Sequence, residues 1–192
     1  MKNLFDEIPV LESGRLILRA LTDADADDLD SMIHSEKIYK TVPTFLFEQK
    51  YDDTHETISK MYEDIYLNKE SLILGVFLKD TDMFCGLAEF YSYNPDVHKV
   101  SLGIRLIEEV WNSGVATEVA KLMINYLFDE TDVVTISVTI MVVNRGSERV
   151  AEKLGFTLVS GNVPEDWGFD EPVIEDAWVL RKEDCNPELL KI

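Results

Sequence analysis

Cysteine is scarce in this 192-residue chain: only Cys85 and Cys185 occur, far apart and in no metal-ligand spacing. A disulfide framework and a zinc finger are thereby excluded, and a reduced, cytoplasmic protein is expected. The three histidines, His34, His55 and His98, are scattered with no partner at ligand spacing, so no metal is expected. Basic residues are few, 18 against 37 acidic ones, giving a formal net charge of −19. A field of that sign repels duplex nucleic acid and anionic membranes, so neither is expected as a partner, and a cationic substrate is favoured. Long apolar runs are missing too. The longest, Val133 to Val143, is broken by Thr and Ser and is too short to span a bilayer, and acidic residues interrupt the amino end where a signal peptide needs an apolar core.

What is present suits one globular unit. With 46% hydrophobic and 29% charged residues the chain can bury a core, and its length fits a single domain over residues 1–192. The organising stretch is Leu102 to Phe128. An extended segment, Leu102 to Leu106, passes through a polar turn containing Gly114 into a helix with Val115, Val119, Leu122, Met123, Tyr126 and Leu127 on one stripe. The first turn of such a helix has unpaired N–H groups and partial positive charge, so it suits an anion. GxxxxGK[ST] and GxGxxG are both absent, which removes a nucleotide-hydrolysing loop and weakens a dinucleotide fold. A main-chain phosphate cradle remains, beside the plainer reading of an ordinary helix start.

The other elements follow from periodicity. Arg15 to Ala20 alternates as a strand; Thr22 and Asp25 form a capping box for a helix to about His34. Lys40 to Phe47 reads as a loop, with Tyr39, Phe45, Phe47 and Tyr51 as core or cleft wall. Asp52 or Asp53 caps a helix carrying Ile58, Met61, Tyr62 and Ile65. Ser71 to Leu78, Phe84 to Tyr93 and Val97 to Leu106 read as three strands joined by hairpins. Val133 to Val143 alternates little and reads as a strand covered on both faces. A short helix over Asn144 to Phe156 ends at Gly155, and two strands follow near Thr157 to Gly161 and Val173 to Leu180.

Three segments carry a family resemblance: LESGRLILRALTDADADDL, then WNSGVATEVA, then NRGSERVAEKLGF. In this order they resemble the GNAT superfamily of acyl-CoA-dependent N-acetyltransferases, in the branch of the ribosomal-protein N-terminal acetyltransferases. The resemblance implies an α/β fold with a mixed sheet of about seven strands and four helices, its central strands splayed apart. It implies acetyl-CoA as co-substrate, with the pantothenate arm on main chain at Arg105, Leu106 and Ile107. The pyrophosphate would then meet Asn112, Ser113, Gly114, Val115, Ala116 and Thr117, and Asn144 would touch the coenzyme or only cap its helix.

The chemistry expected is attack of a primary amine on the thioester within a ternary complex. Ser147, matching the family's serine, is expected to protonate the leaving sulfur, whose thiol pKa near ~8.5 keeps that demand modest. Main chain near Arg105 and Leu106 is expected to hold the oxyanion. Glu89, on the strand GLAEFY, is the candidate base, with Glu165 and Asp166 as alternatives. The acceptor is expected to be a protein N-terminal amine or a small cationic amine, and the protein a monomer or homodimer. The rival readings are a non-catalytic acyl-CoA-binding module and a nucleotide-binding protein using the same helix start.

Overall fold

In the computed structural model, residues 1–44 and 46–192 are described; Phe45, expected among the cleft aromatics, lies outside the described residues. The strands are β1 (Leu11–Glu12), β2 (Leu16–Arg19), β3 (Ser71–Leu78), β4 (Met83–Asn94), β5 (Lys99–Leu106), β6 (Thr135–Met141), β7 (Thr157–Glu165) and β8 (Val173–Arg181). They form one mixed sheet in the order β1-β2-β3-β4-β5-β6-β8-β7. The helices are α1 (Ala26–Ile33), α2 (Glu36–Tyr39), α3 (Thr54–Lys60), α4 (Val115–Glu130) and α5 (Arg145–Lys153). The mixed α/β fold stands as expected, with β1 and the single turn α2 as additions. Two to four residues carry no usable periodicity, which is why neither was legible.

The sheet is packed on both faces by its β3–β4 hairpin. Successive β3 side chains alternate between two cores: Leu72, Leu74 and Val76 join the cluster under α4, while Ile73 and Phe77 join the cluster under α1 and α3. The helix starts behave as the sequence suggests. Thr22 N–H donates to Asp25 Oδ2 at 2.7 Å, and Asp53 accepts from His55 N–H at 2.9 Å. A short 3-10 turn, Asp23–Asp25, precedes α1, and a π-helical turn, Met61–Tyr66, extends α3. Gly155 ends α5 at φ 83°, the left-handed position.

The feature that matters for function is a failed pairing. β5 and β6 run parallel and match only at Lys99–Thr135, Val100–Ile136 and Ser101–Ser137. Beyond Ser101, β5 continues beside β4 to Leu106, and β6 continues beside β8 to Met141. The two strands therefore part, and a gap opens in the middle of the sheet. This also corrects the expectation for β6. Only Ile136 and Ile140 are buried and Thr139 is exposed, because the stretch Val138 to Ile140 borders the cavity instead of being covered on both faces.

Candidate active site

A cavity of about 1360 Å³ runs from the start of α4 through the gap to the sheet face under α2. At one end lies the turn from Trp111 to Gly114. Asn112 and Gly114 both take left-handed backbone, φ 58° and 84°. A Cβ at Gly114 would meet only Arg15 Nη2, at 3.5 Å, so conformation rather than crowding calls for glycine there. Arg15 Nη2 donates to Ser113 O at 3.2 Å, and Glu118 on α4 holds Arg15 Nε at 2.7 Å. The peptide is trans and planar, so pulling the Ser113 carbonyl toward Arg15 turns the Gly114 N–H the opposite way. The first N–H of α4 with a main-chain acceptor is that of Glu118, bonded to Gly114 O at 3.1 Å. The N–H groups of Val115, Ala116 and Thr117 are left without one among the described residues, and Ala116 and Thr117 line the cavity. This is a cradle for an anion built from main chain.

Trp111 was not expected to act as a tie. It is 43% exposed, and its indole N–H donates to Leu106 O at 2.8 Å, pinning the turn to the end of β5. The edge of β5 that faces the gap presents only alternate residues. Strand main-chain groups alternate sides. His98 O accepts from Val134 N on the β6 side, whereas Ile107 N–H donates to Cys85 O on the β4 side at 2.9 Å. By that parity Leu102, Ile104 and Leu106 present their N–H and C=O to the gap, and Arg105 and Ile107 turn away from it. Residues 105–107 are thus not a continuous run of available groups.

Asn144 caps α5, its Oδ1 accepting from Ser147 N–H at 3.2 Å, while its Nδ2 donates to Thr41 Oγ1 at 3.3 Å. The amide so bridges the helix start and the segment after α2. Ser147 is half-buried on the cavity wall, with its N–H capped. Arg145 is held by Glu148 at 2.5 Å, and Arg149 and Lys153 reach the same wall.

The other end is dominated by buried charge. Arg105 is 5% exposed, Glu48 0% and Glu89 9%. Arg105 Nη1 donates to Glu89 Oε2 at 2.8 Å and Nη2 to Glu48 Oε2 at 3.2 Å. Its Nε lies 2.5 Å from Glu48 Oε1, yet the N–H is not aimed at an acceptor, so that contact is charge attraction without a hydrogen bond. Ser71 donates to Glu89 Oε1 at 2.5 Å and Tyr39 to Glu48 Oε1 at 3.1 Å. Gly103, opposite Glu89, makes this possible, since a Cβ there would lie 3.2 Å from Arg105 Nη1. Burial pushes the Glu48 carboxyl up against the opposing pull of Arg105. Burial also opposes charge on Arg105, but Glu48 and Glu89 more than restore it. With all three ionised, the cluster carries one net negative charge.

Sequence reasoning found Glu89 here and missed its partners. Glu48 fell just past the expected loop of Lys40 to Phe47 and Glu175 in an expected strand, and neither showed a local signal. Glu175 lines the cavity and is pushed up by burial. The alternatives Glu165 and Asp166 are exposed, and Asp166 Oδ1 is bound to Gly168 N–H at 2.8 Å. Among the described residues there is no cluster of three or more histidine, cysteine or acidic side chains able to hold a metal. No described helix is long and apolar enough to cross a membrane.

The family described as an acetyltransferase (GNAT) domain matches residues 15–157. An uncharacterized N-acetyltransferase, YoaA of Bacillus subtilis (strain 168), is 25% identical over 150 residues, covering 77% of this chain and 82% of the relative. A ribosomal L7/L12 alpha-N-protein acetyltransferase (RimL) in complex with coenzyme A superposes with a TM-score of 0.77 at 15% identity, over 90% of this chain and 98% of that one. Spermidine N-acetyltransferase from Vibrio cholerae, in complex with CoA and spermine, gives 0.75 at 17% identity, again over 90% and 98%. At these identities the superpositions speak to the fold.

Proposed function

Because the chain belongs to the GNAT acetyltransferase family and is an acetyltransferase of that kind, we propose that it moves an acetyl group from acetyl-CoA to a cationic amine. The observation that carries this is one cavity with an unpaired helix start at one end and the buried Glu89–Arg105 pair at the other, joined through the gap between β5 and β6. The N–H groups from Asn112 to Thr117 suit a diphosphate, and the gap-facing main chain of Ile104 and Leu106 suits an extended amide-bearing arm. Asn144 and the basic side chains of α5 border the same space.

In this reading Glu89 attracts the ammonium and takes its proton, directly or through water. Both its oxygens are engaged, but each keeps a further lone pair. An α-amine with pKa near ~8 is already partly neutral at pH 7, so the base has little to do, and a lysine near ~10.4 would ask more of it. The amine attacks the thioester carbonyl within the ternary complex, a gap-facing N–H of β5 meets the oxyanion, and Ser147 Oγ–H protonates the departing thiolate. A protein N-terminal amine and a small cationic amine both satisfy these demands. RimL and the Vibrio cholerae spermidine enzyme, by their names, represent one of each.

Release of free CoA from acetyl-CoA across a panel of amines and N-terminal peptides tests the reaction. Release at the hydrolysis background, with coenzyme still bound, would leave only the binding module. Gly114→Trp should abolish coenzyme affinity, whereas Gly114→Ala carries the same backbone strain of about 1–2 kcal/mol without the bulk and should bind. Affinity retained by the Trp variant would move the cradle elsewhere. Ser147→Ala should lower kcat about tenfold at unchanged coenzyme affinity, the modest loss expected for a good leaving group. An unchanged rate would remove Ser147 from the chemistry.

A further inference from the structure

We infer that the acceptor carries a second positive charge, and that Glu175 selects for it. The inference rests on the amine-acetyltransferase reading and goes beyond it by naming the substrate class. Glu175 stands on β8 opposite Met141, on the far side of the gap from Glu89. It is half-buried on the wall of the same cavity. Trp167 Nε1 donates to its Oε2 at 2.7 Å, and no cation of the described residues pairs with it.

Of the cations lining the cavity, Arg149 and Lys153 stand on α5, and neither pairs with Glu175; the others are engaged elsewhere. Arg105 is held by Glu48 and Glu89, Lys37 by Glu108 at 2.7 Å, and Lys50 lies over the rings of Phe47 and Tyr51 at 5.7 and 5.5 Å. A partly desolvated carboxylate without a counterion is unfavourable, and a ligand cation relieves it. Two aromatic side chains complete the setting. Trp167, 8% exposed, is tied to Glu175 itself, and Tyr91 lies two residues beyond Glu89 on the same face of β4. Both line the cavity, and the Tyr91 phenol, raised first by burial, is raised further by the charges of both Glu89 and Glu175. Tyr91 thus shares the cavity with both carboxylates. A carboxylate beside aromatic faces is the chemistry that holds an alkylammonium. One ammonium of a linear diamine would face Glu89 for reaction while the other rests against Glu175, Trp167 and Tyr91.

Calorimetry on the protein without coenzyme tests this apart from catalysis, comparing putrescine with butylamine, a monoamine of the same chain length. Putrescine should bind about tenfold more tightly, the effect of one charge-assisted hydrogen bond. Glu175→Gln keeps an oxygen for the Trp167 N–H and removes the charge, so it should erase the preference. Glu175→Asp should retain part of it, and the melting temperature and acetyl-CoA affinity of both variants should match the parent. Equal affinities in the parent protein, or a tenfold preference surviving in Glu175→Gln, would overturn the inference. A failure of CoA release with every amine would strike the acetyltransferase reading instead, since the binding comparison does not depend on turnover.

Discussion

The two halves of the sheet, β1 to β5 and β6 to β8, meet along three residue pairs and are built differently. In the first half β3 and β4 are buried on both faces, with only their ends approaching solvent. In the second half β7 is exposed along nearly its whole length, and Leu158 and Val159 are 46% and 52% exposed. The first half is scaffold, fixed by apolar packing. The second is a wall, held by β8 and by one packed face, and free to stand away from β5. A gap in a sheet leaves main-chain groups unpaired, which is tolerable where a ligand can meet them.

The contrast predicts unequal costs. Phe90→Ala, in the fully buried half, should lower unfolding free energy by about 4 kcal/mol, read from chemical denaturation. A loss below about 1 kcal/mol would mean that β4 is not the rigid side. Arg105→Leu should cost about 3 kcal/mol, less than the full penalty for breaking a buried pair, because Glu48 can take a proton in response. Its sign with pH is specific. Glu48 already has a folded value raised by burial, and losing Arg105 raises it further, so the variant's stability should be best in acid and fall as pH rises.

Asp25→Asn should cost about 2 kcal/mol at neutral pH. Burial alone would raise Asp25, but the paired contact with Arg19 at 2.9 and 3.0 Å and the Thr22 donors hold it below the usual carboxylate value. Stability from this group is therefore present above the ordinary carboxylate range and disappears as pH falls through the depressed value. The gap between parent and variant should close in acid, and a constant gap would assign the cost to packing. Val159→Ala, on β7, should change stability by no more than about 0.5 kcal/mol. A large loss there would show that the second half depends on that strand.

What could be read from the chain divides along similar lines. The hairpins of β3, β4 and β5, the stripe of α4 and the caps at Thr22, Asp53 and Asn144 are local, set by residues within a few positions of one another. The cluster of Glu48, Glu89 and Arg105 joins residues 16 to 57 positions apart, and the hydrogen bond from the Thr44 hydroxyl to Trp167 O spans 123. No window of sequence displays such meetings. At residues 105–107 a motif match assigns a segment, while strand parity turns only alternate residues within it toward the gap. The tie from Trp111 to Leu106 O is only five positions long, yet no residue pattern marks an indole N–H for a main-chain partner.

The edge strand β7 has one more lesson. Its ladder with β8 breaks register twice, Asn162 takes φ 57°, and Pro164 offers no N–H. These are the features that keep a bare sheet margin from adding strands of other molecules.

The three tryptophans happen to sample three separate places: Trp111 at the anion cradle, Trp167 against Glu175, and Trp178 in the core. The chain thus has its own optical reporters. Quenching confined to the first would signal an occupant at the helix start, a response from the second would signal one at the acidic wall, and the third would stay silent until the fold itself gave way.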